Sequence, residues 1–128
     1  MVNSTIAPTS IAPPAANYSH AVVSVGAQRL LHTSGVVPIA PDGGVPPGLA
    51  EQAEVVWANI MAILGEAGMQ VEDVVSITTY VVQGEELASV MAARDRVMAG
   101  HRPASTLVVV PSLARPEWRV EIAVVAAR

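Results

Sequence analysis

The sequence of 128 residues contains no cysteine and no lysine, and each absence excludes a kind of chemistry. Without cysteine, the chain can form neither a disulfide nor a thiolate nucleophile. Without lysine, no side-chain amine is available for a Schiff base, which excludes covalent mechanisms of the pyridoxal or aldolase type. We therefore expect a protein that works without a cofactor.

Positive charge is also scarce. All seven basic residues are arginines scattered along the chain, and the net charge is -4. Proteins that bind a phosphate backbone need clustered basic side chains, so we expect no nucleic-acid partner. His20, His32 and His101 lie far apart and lack the spacing of metal ligands, so we also expect no metal site.

The first twenty residues lack both a basic segment and an unbroken apolar stretch. These are the features of signal peptides and membrane anchors, so we expect no membrane association and a cytoplasmic location. With 52% hydrophobic residues, a chain of this length forms one compact core. We predict a single domain that spans residues 1–128.

The apolar pattern predicts strands and helices in the order ββαβαββ. A Pro- and Ser-rich opening to about Ala16 predicts an arm without regular structure. The two β-rich runs between His20 and Gly35 predict a hairpin that turns at Gly26 and Ala27. The remaining elements follow from apolar periodicity: helices within residues 49–68 and 85–100, and strands within 73–82, 106–110 and 118–126. In the first helix the residues at helical spacing are Val56, Ile60, Ile63, Leu64 and Ala67.

This order of elements indicates an α+β fold of two layers, a mixed sheet with both helices on one face. The other face of the sheet then has no cover within the chain. Because the apolar content is high, other subunits are the expected cover, and we predict a homo-oligomer.

Glu121 stands within an apolar run, between Val120 and Ile122. A carboxylate buried alone would cost several kcal/mol. The period of two in a strand places Val120 and Ile122 toward the helices and Glu121 on the opposite face. A second interpretation pairs Glu121 with Arg119 on an exposed strand, an interaction of about 0–1 kcal/mol.

Ser34 and Gly35 end a predicted strand at the mouth of a long loop, a common position for functional residues. The same pair is also typical of simple turn formation. Tyr18 likewise has two interpretations, because a tyrosine in the N-terminal arm can serve only to anchor it through its ring and hydroxyl.

Four segments resemble the RidA family, also called YjgF/YER057c/UK114. They are NYSHA at residues 17–21, HTSGVVPIAPDGGVP at 32–46, VEDVVSITTYVV at 71–82, and RPAST at 102–106 followed by VEIAVVA at 120–126. The resemblance implies a chorismate-mutase-like domain that assembles as a homotrimer, with a cleft between neighbouring subunits that binds a small molecule. It also implies hydrolysis of enamines and imines to a keto acid and ammonia.

The resemblance assigns roles to individual residues. Tyr18 matches a tyrosine of the family's N-terminal motif and Ser34 the serine of its TSG motif, both in substrate binding. Glu121 matches the family's C-terminal glutamate and would be the catalytic residue that orients or deprotonates the attacking water.

The chain departs from the family where relatives carry an arginine that clamps the substrate carboxylate. Ser105 stands at that position, and a hydroxyl cannot replace a planar guanidinium. Val36 and Met91 likewise replace a glutamine and an asparagine often found in the family. Arg102 or Arg115 could supply the cation from another direction.

Two functions follow from this mixture of matches and departures. The first is an enamine or imine deaminase-like hydrolase whose substrate is not a typical 2-imino acid. The alternative is a non-catalytic trimer that binds a ligand or another protein in the same cleft.

Overall fold

The structure, a computed structural model, describes residues 2–128 and confirms the predicted α+β fold. The elements are β1 (Asn3–Ile6), β2 (Ala21–Ser24), β3 (Leu30–His32), α1 (Leu49–Glu66), β4 (Val74–Val82), α2 (Leu87–Met98), β5 (Ala104–Val110) and β6 (Val120–Ala127). From β2 onward the order is the predicted ββαβαββ.

The main sheet has four strands in the order β3-β6-β4-β5. β6 pairs antiparallel with β3 and with β4, whereas β4 and β5 are parallel. The parallel pair requires a crossover, which α2 provides. The prediction of a mixed sheet is therefore confirmed.

The predicted hairpin between His20 and Gly35 is wrong. β2 pairs with β1, a strand that we had interpreted as part of an irregular arm, and β3 pairs with β6. The backbone amides of Gln28 and Arg29 donate to the carbonyl of Arg128 at 2.9 and 2.8 Å, which holds the start of β3 beside the C-terminus. Gly26, with a φ of 69°, separates the two strands, but long-range pairing selected their partners.

The core lies between the helices and one face of the sheet. α1 contributes residues spaced three or four apart, and β6 contributes alternate residues; these are Ala53, Val56, Trp57, Ile60, Leu64, Val120, Ile122 and Val124, each at most 1% exposed. Ile63 was predicted on the same stripe but is exposed. α1 ends at Glu66, two residues before Gly68, whose φ of 69° favours glycine.

The opposite face of the sheet is not covered by the helices. Thr78 and Tyr80 of β4 and Glu121 and Ala123 of β6 point to this face and are half-buried. Within residues 2–128, no helix has the length and apolar character needed to cross a membrane.

Candidate active site

Glu121 lies on the uncovered face of the sheet, as the strand periodicity predicts. Its neighbours Val120 and Ile122 are fully buried in the core, while Glu121 itself is half-buried and lies beside Tyr80 of β4. The carboxylate therefore avoids the apolar core and remains accessible to water.

Gly35, which follows Ser34, lies against Glu121 because of an irregularity in the strand pairing. Val36 exchanges two backbone hydrogen bonds with Ile122, at 2.7 and 3.1 Å, and the amide of Thr33 donates to the carbonyl of Val124 at 3.1 Å. The two residues between these contacts are exposed and form a short bulge. A Cβ placed on Gly35 would overlap the carboxylate of Glu121, with 2.7 Å to its Cδ.

The ion pair between Arg119 and Glu121 considered from the sequence is not formed. Arg119 donates from Nε to Oε1 of Glu85 at 2.7 Å instead. Among residues 2–128, Glu121 takes part in no ion pair and its carboxylate accepts no hydrogen bond. Its carboxylate oxygens are therefore available to water or a ligand.

A second cluster surrounds a cavity of about 250 Å³ between the N-terminal arm, α2 and β5. Its lining residues are Ala16, Tyr18, Leu87, Met91, Arg94, Ser105 and Leu107. The Tyr18 hydroxyl accepts a hydrogen bond from the Ala15 amide at 3.2 Å, so Tyr18 anchors the arm and borders the cavity at the same time.

Arg94 is the residue of this cavity that our interpretation of the sequence missed. It is only 7% exposed, and its Nη1 lies 3.3 Å from Oγ of Ser105. Ser105 carries no charge, but the guanidinium of Arg94 lies beside it. This cation comes from α2 and not from the strand. The signal was available, because Arg94 lies four residues from both Val90 and Met98 on the buried stripe of the helix.

The two arginines proposed from the sequence lie elsewhere. Arg102 is exposed and borders a smaller pocket with Asn17 and Asp95. Arg115 is exposed and places its Cζ 5.3 Å from the ring centroid of Trp118, a cation–π contact. Neither arginine lines the cavity beside Tyr18 and Ser105 within its own chain.

The two clusters lie on opposite faces of one sheet. Ser105 pairs with Ile77 of β4, which in turn pairs with Val124 of β6, and the side chains of Ile77 and Val124 face the helices. Glu121 points to the uncovered face. Along the strands the two residues are three positions apart, about 10 Å, with β4 between them. One chain therefore does not bring Glu121 together with Tyr18 and Ser105.

No group of three or more possible metal ligands occurs in residues 2–128. The chemistry available at the two clusters is that of one carboxylate, one guanidinium and several hydroxyl groups.

The comparisons with known proteins agree on one family. The family model described as endoribonuclease L-PSP matches residues 9–128. The 2-iminobutanoate/2-iminopropanoate deaminase of Escherichia coli K12 is 32% identical over 111 residues, which cover 84% of this chain and 86% of the relative. The mitochondrial protein MMF1 of Saccharomyces cerevisiae is 31% identical over 107 residues, or 82% and 72% of the two chains.

Solved structures show the same relationship. The Rid-family protein YyfB of Yersinia pestis superposes with a TM-score of 0.90 at 32% identity and full coverage of both chains. The YjgF protein of E. coli superposes with a TM-score of 0.72 at 31% identity, covering 98% of each chain. Together with the segments around Tyr18, Ser34 and Glu121, these matches establish that the chain belongs to the RidA family.

Proposed function

We propose that this protein is an enamine or imine deaminase-like hydrolase with Glu121 as general base. The observation that carries the proposal is the Glu121 carboxylate: it is half-buried, has no ion-pair partner among residues 2–128 and lies against Gly35 on the uncovered face. The names of relatives as imino acid deaminases support the same chemistry.

Hydrolysis of a carbon–nitrogen double bond moves both protons of one water molecule to the imine nitrogen. Glu121 takes a proton from water while the water oxygen attacks the imine carbon and the π electrons move to nitrogen. The same carboxyl group then returns the proton to the nitrogen of the tetrahedral intermediate. Transfer of the hydroxyl proton to the same nitrogen, as the carbon–nitrogen bond breaks, releases ammonia and leaves the carbonyl product, so one water is consumed for each ammonia released. An enamine would first be protonated on carbon to give the imine.

We propose that the complete site lies between subunits of a homotrimer. Since Glu121 and the cavity beside Ser105 lie on opposite faces of one sheet, a neighbouring chain must bring them together. Glu121, Ser34 and Gly35 would come from one subunit, and Tyr18 with Ser105 from the next. Arg102 and Arg115 remain candidates for contacts across this boundary, because neither lines the cavity of its own chain.

The substrate is a small imine. The sequence led us to expect a substrate without the carboxylate of a 2-imino acid, because Ser105 replaces the family's arginine. The guanidinium of Arg94, 3.3 Å from Ser105, offers a cation at this point and supports the other possibility. A substrate with a carboxylate is therefore compatible with the site.

Turnover by wild type and Glu121→Gln tests the proposal. The imine would be generated in situ from leucine by an amino acid oxidase, and its decay would be followed by semicarbazide trapping. Wild type should reduce trapping, whereas Glu121→Gln should not, because the amide keeps the shape but cannot accept the proton. Glu117→Gln, an exposed glutamate before β6, is the matched control and should act like wild type.

The same assay separates the two functions considered from the sequence. If wild type accelerates decay and Glu121→Gln does so equally well, the general-base role is wrong. If wild type binds small carboxylates but never accelerates decay, the non-catalytic ligand-binding trimer is the better description.

A further inference from the structure

We infer that Arg94, assisted by Ser105, is the carboxylate-binding group of this protein, and that its ligand is a 2-oxo or 2-imino acid with an apolar side chain. The inference rests on the proposed function for its link to catalysis, but the binding site itself is argued from α2 and β5. Relatives place an arginine on the strand; here the cation reaches the same place from the helix.

The guanidinium of Arg94 has donors left for a ligand. Of the five N–H groups that a guanidinium carries, Nε and Nη2 each donate to Oδ1 of Asp95 at 3.1 Å, and Nη1 donates to Oγ of Ser105 at 3.3 Å. These three contacts leave one N–H on Nη1 and one on Nη2. Both N–H groups can still donate to the carboxylate of a ligand, in charge-assisted hydrogen bonds.

The position of the guanidinium is fixed from behind. Asp95 holds one edge of Arg94, and the side-chain amide of Asn17 donates to the other Asp95 oxygen at 3.0 Å. Arg94 is nine-tenths buried, whereas the Asp95 side chain is 34% exposed, so Asp95 is partly solvated and does not close the cavity. A charged group held in place before binding loses little conformational freedom when the ligand arrives.

The apolar residues that line the cavity select the part of the ligand away from its carboxylate. Leu87, Met91 and Leu107 line the same cavity as the guanidinium, and Met91 stands where relatives often carry asparagine. A cavity of about 250 Å³ with one cation and three apolar side chains fits a small carboxylate with an aliphatic chain. Short or strongly polar acids would leave these apolar surfaces in contact with water.

Binding measurements in the Glu121→Gln background test the inference without depending on catalysis. The probes are 4-methyl-2-oxopentanoate, its uncharged amide and pyruvate, titrated by calorimetry. The acid should bind roughly tenfold to a hundredfold more tightly than the amide, the range given by a charge-assisted contact. It should also bind more tightly than pyruvate, which lacks the aliphatic chain.

Four substitutions locate the effect. Arg94→Met replaces the guanidinium by an unbranched side chain without charge. It should remove the preference for the acid over the amide. Arg96→Gln changes a neighbouring arginine on the exposed side of α2, which pairs with Glu54, and should leave binding unchanged. Ser105→Asp would place a carboxylate of the protein itself against the guanidinium, in competition with the ligand. This variant should bind the acid at least about tenfold more weakly than Ser105→Asn, whose side chain has the same size.

The inference is overturned if acid and amide bind the Glu121→Gln protein equally, or if folded Arg94→Met in that background retains the preference. Should Arg94→Met not fold, the Ser105→Asp and Ser105→Asn pair decides, since equal binding by these two variants would also overturn it. If only the proposed function is wrong, the acid should still bind, and turnover should not depend on Glu121.

Discussion

The side chain of Glu121 occupies the space in which a side chain at position 35 would lie. A Cβ on Gly35 would come within 2.7 Å of Glu121 Cδ and overlap the carboxylate itself. The glycine is required here for close approach, and this contact determines where the carboxylate of β6 can point.

The first prediction follows from this contact. Gly35→Ala should displace the Glu121 carboxylate and lower kcat/KM at least about tenfold, because a general base must lie within hydrogen-bond reach of its water. The chain should still fold, since the obstructing atoms are at the end of a flexible side chain. Steady-state turnover and a melting curve check both parts. Full activity in Gly35→Ala would show that the position of the carboxylate is not critical.

The second prediction concerns assembly. Light scattering should give a mass near three times the 13.2 kDa of the chain. Thr78→Arg, on the uncovered face, should dissociate the trimer and abolish turnover, because it would place a charge in the proposed interface. Ala92→Arg adds the same charge on the exposed side of α2 and should leave the mass unchanged. A monomeric, active wild type would contradict the intersubunit site.

The third prediction concerns RNA, to which the family model's description as an endoribonuclease draws attention. Arg96, Arg119 and Arg128 each pair with a carboxylate, and Arg94 is buried. The chain therefore offers few free cations for phosphates, and the net charge of -4 repels them. Fluorescence polarisation at about 0.15 M salt should show only weak, nonspecific binding. Submicromolar affinity that weakens steeply with salt would contradict this prediction.

The fourth prediction concerns Gln52, which is fully buried and connects three segments. Its amide nitrogen donates to the carbonyls of Pro46 and Glu117, at 2.8 and 2.7 Å, and its oxygen accepts from the Arg119 amide at 2.7 Å. Gln52→Leu would leave these groups without partners, at about 1–3 kcal/mol each. We expect urea unfolding to show a loss of at least about 3 kcal/mol.

Gln83→Leu is the control for that measurement. Gln83 is exposed, so its replacement should change the free energy of unfolding by no more than about 0.5 kcal/mol. Equal stabilities of the two variants would mean that Gln52 is not a structural connection.

The fifth prediction concerns two glycines near the end of α1. A Cβ on Gly65 meets nothing within 4 Å, so Gly65→Ala should raise the free energy of unfolding by about 0.5–1 kcal/mol through helix propensity. Gly68→Ala should lower it instead, because Gly68 has a φ of 69°. Urea unfolding of both variants measures the signs. The same sign for both would contradict the backbone argument.

The sequence by itself determined the features that depend on short-range periodicity. The stripe of Val56 and Ile60 defined α1, and the alternation around Glu121 placed its carboxylate away from the core, as the structure confirms. Residue patterns around Tyr18 and Ser34 also identified the family. These signals are local, because side-chain direction repeats every 3.6 residues in a helix and every two in a strand.

Only the tertiary structure decided which distant residues meet. The partner of β2 proved to be β1, and the cation beside Ser105 proved to be Arg94 of α2. The separation of Glu121 and Ser105 onto opposite faces likewise follows from the register of three strands. Such contacts depend on how separate segments pack together, and no periodicity within one segment encodes them.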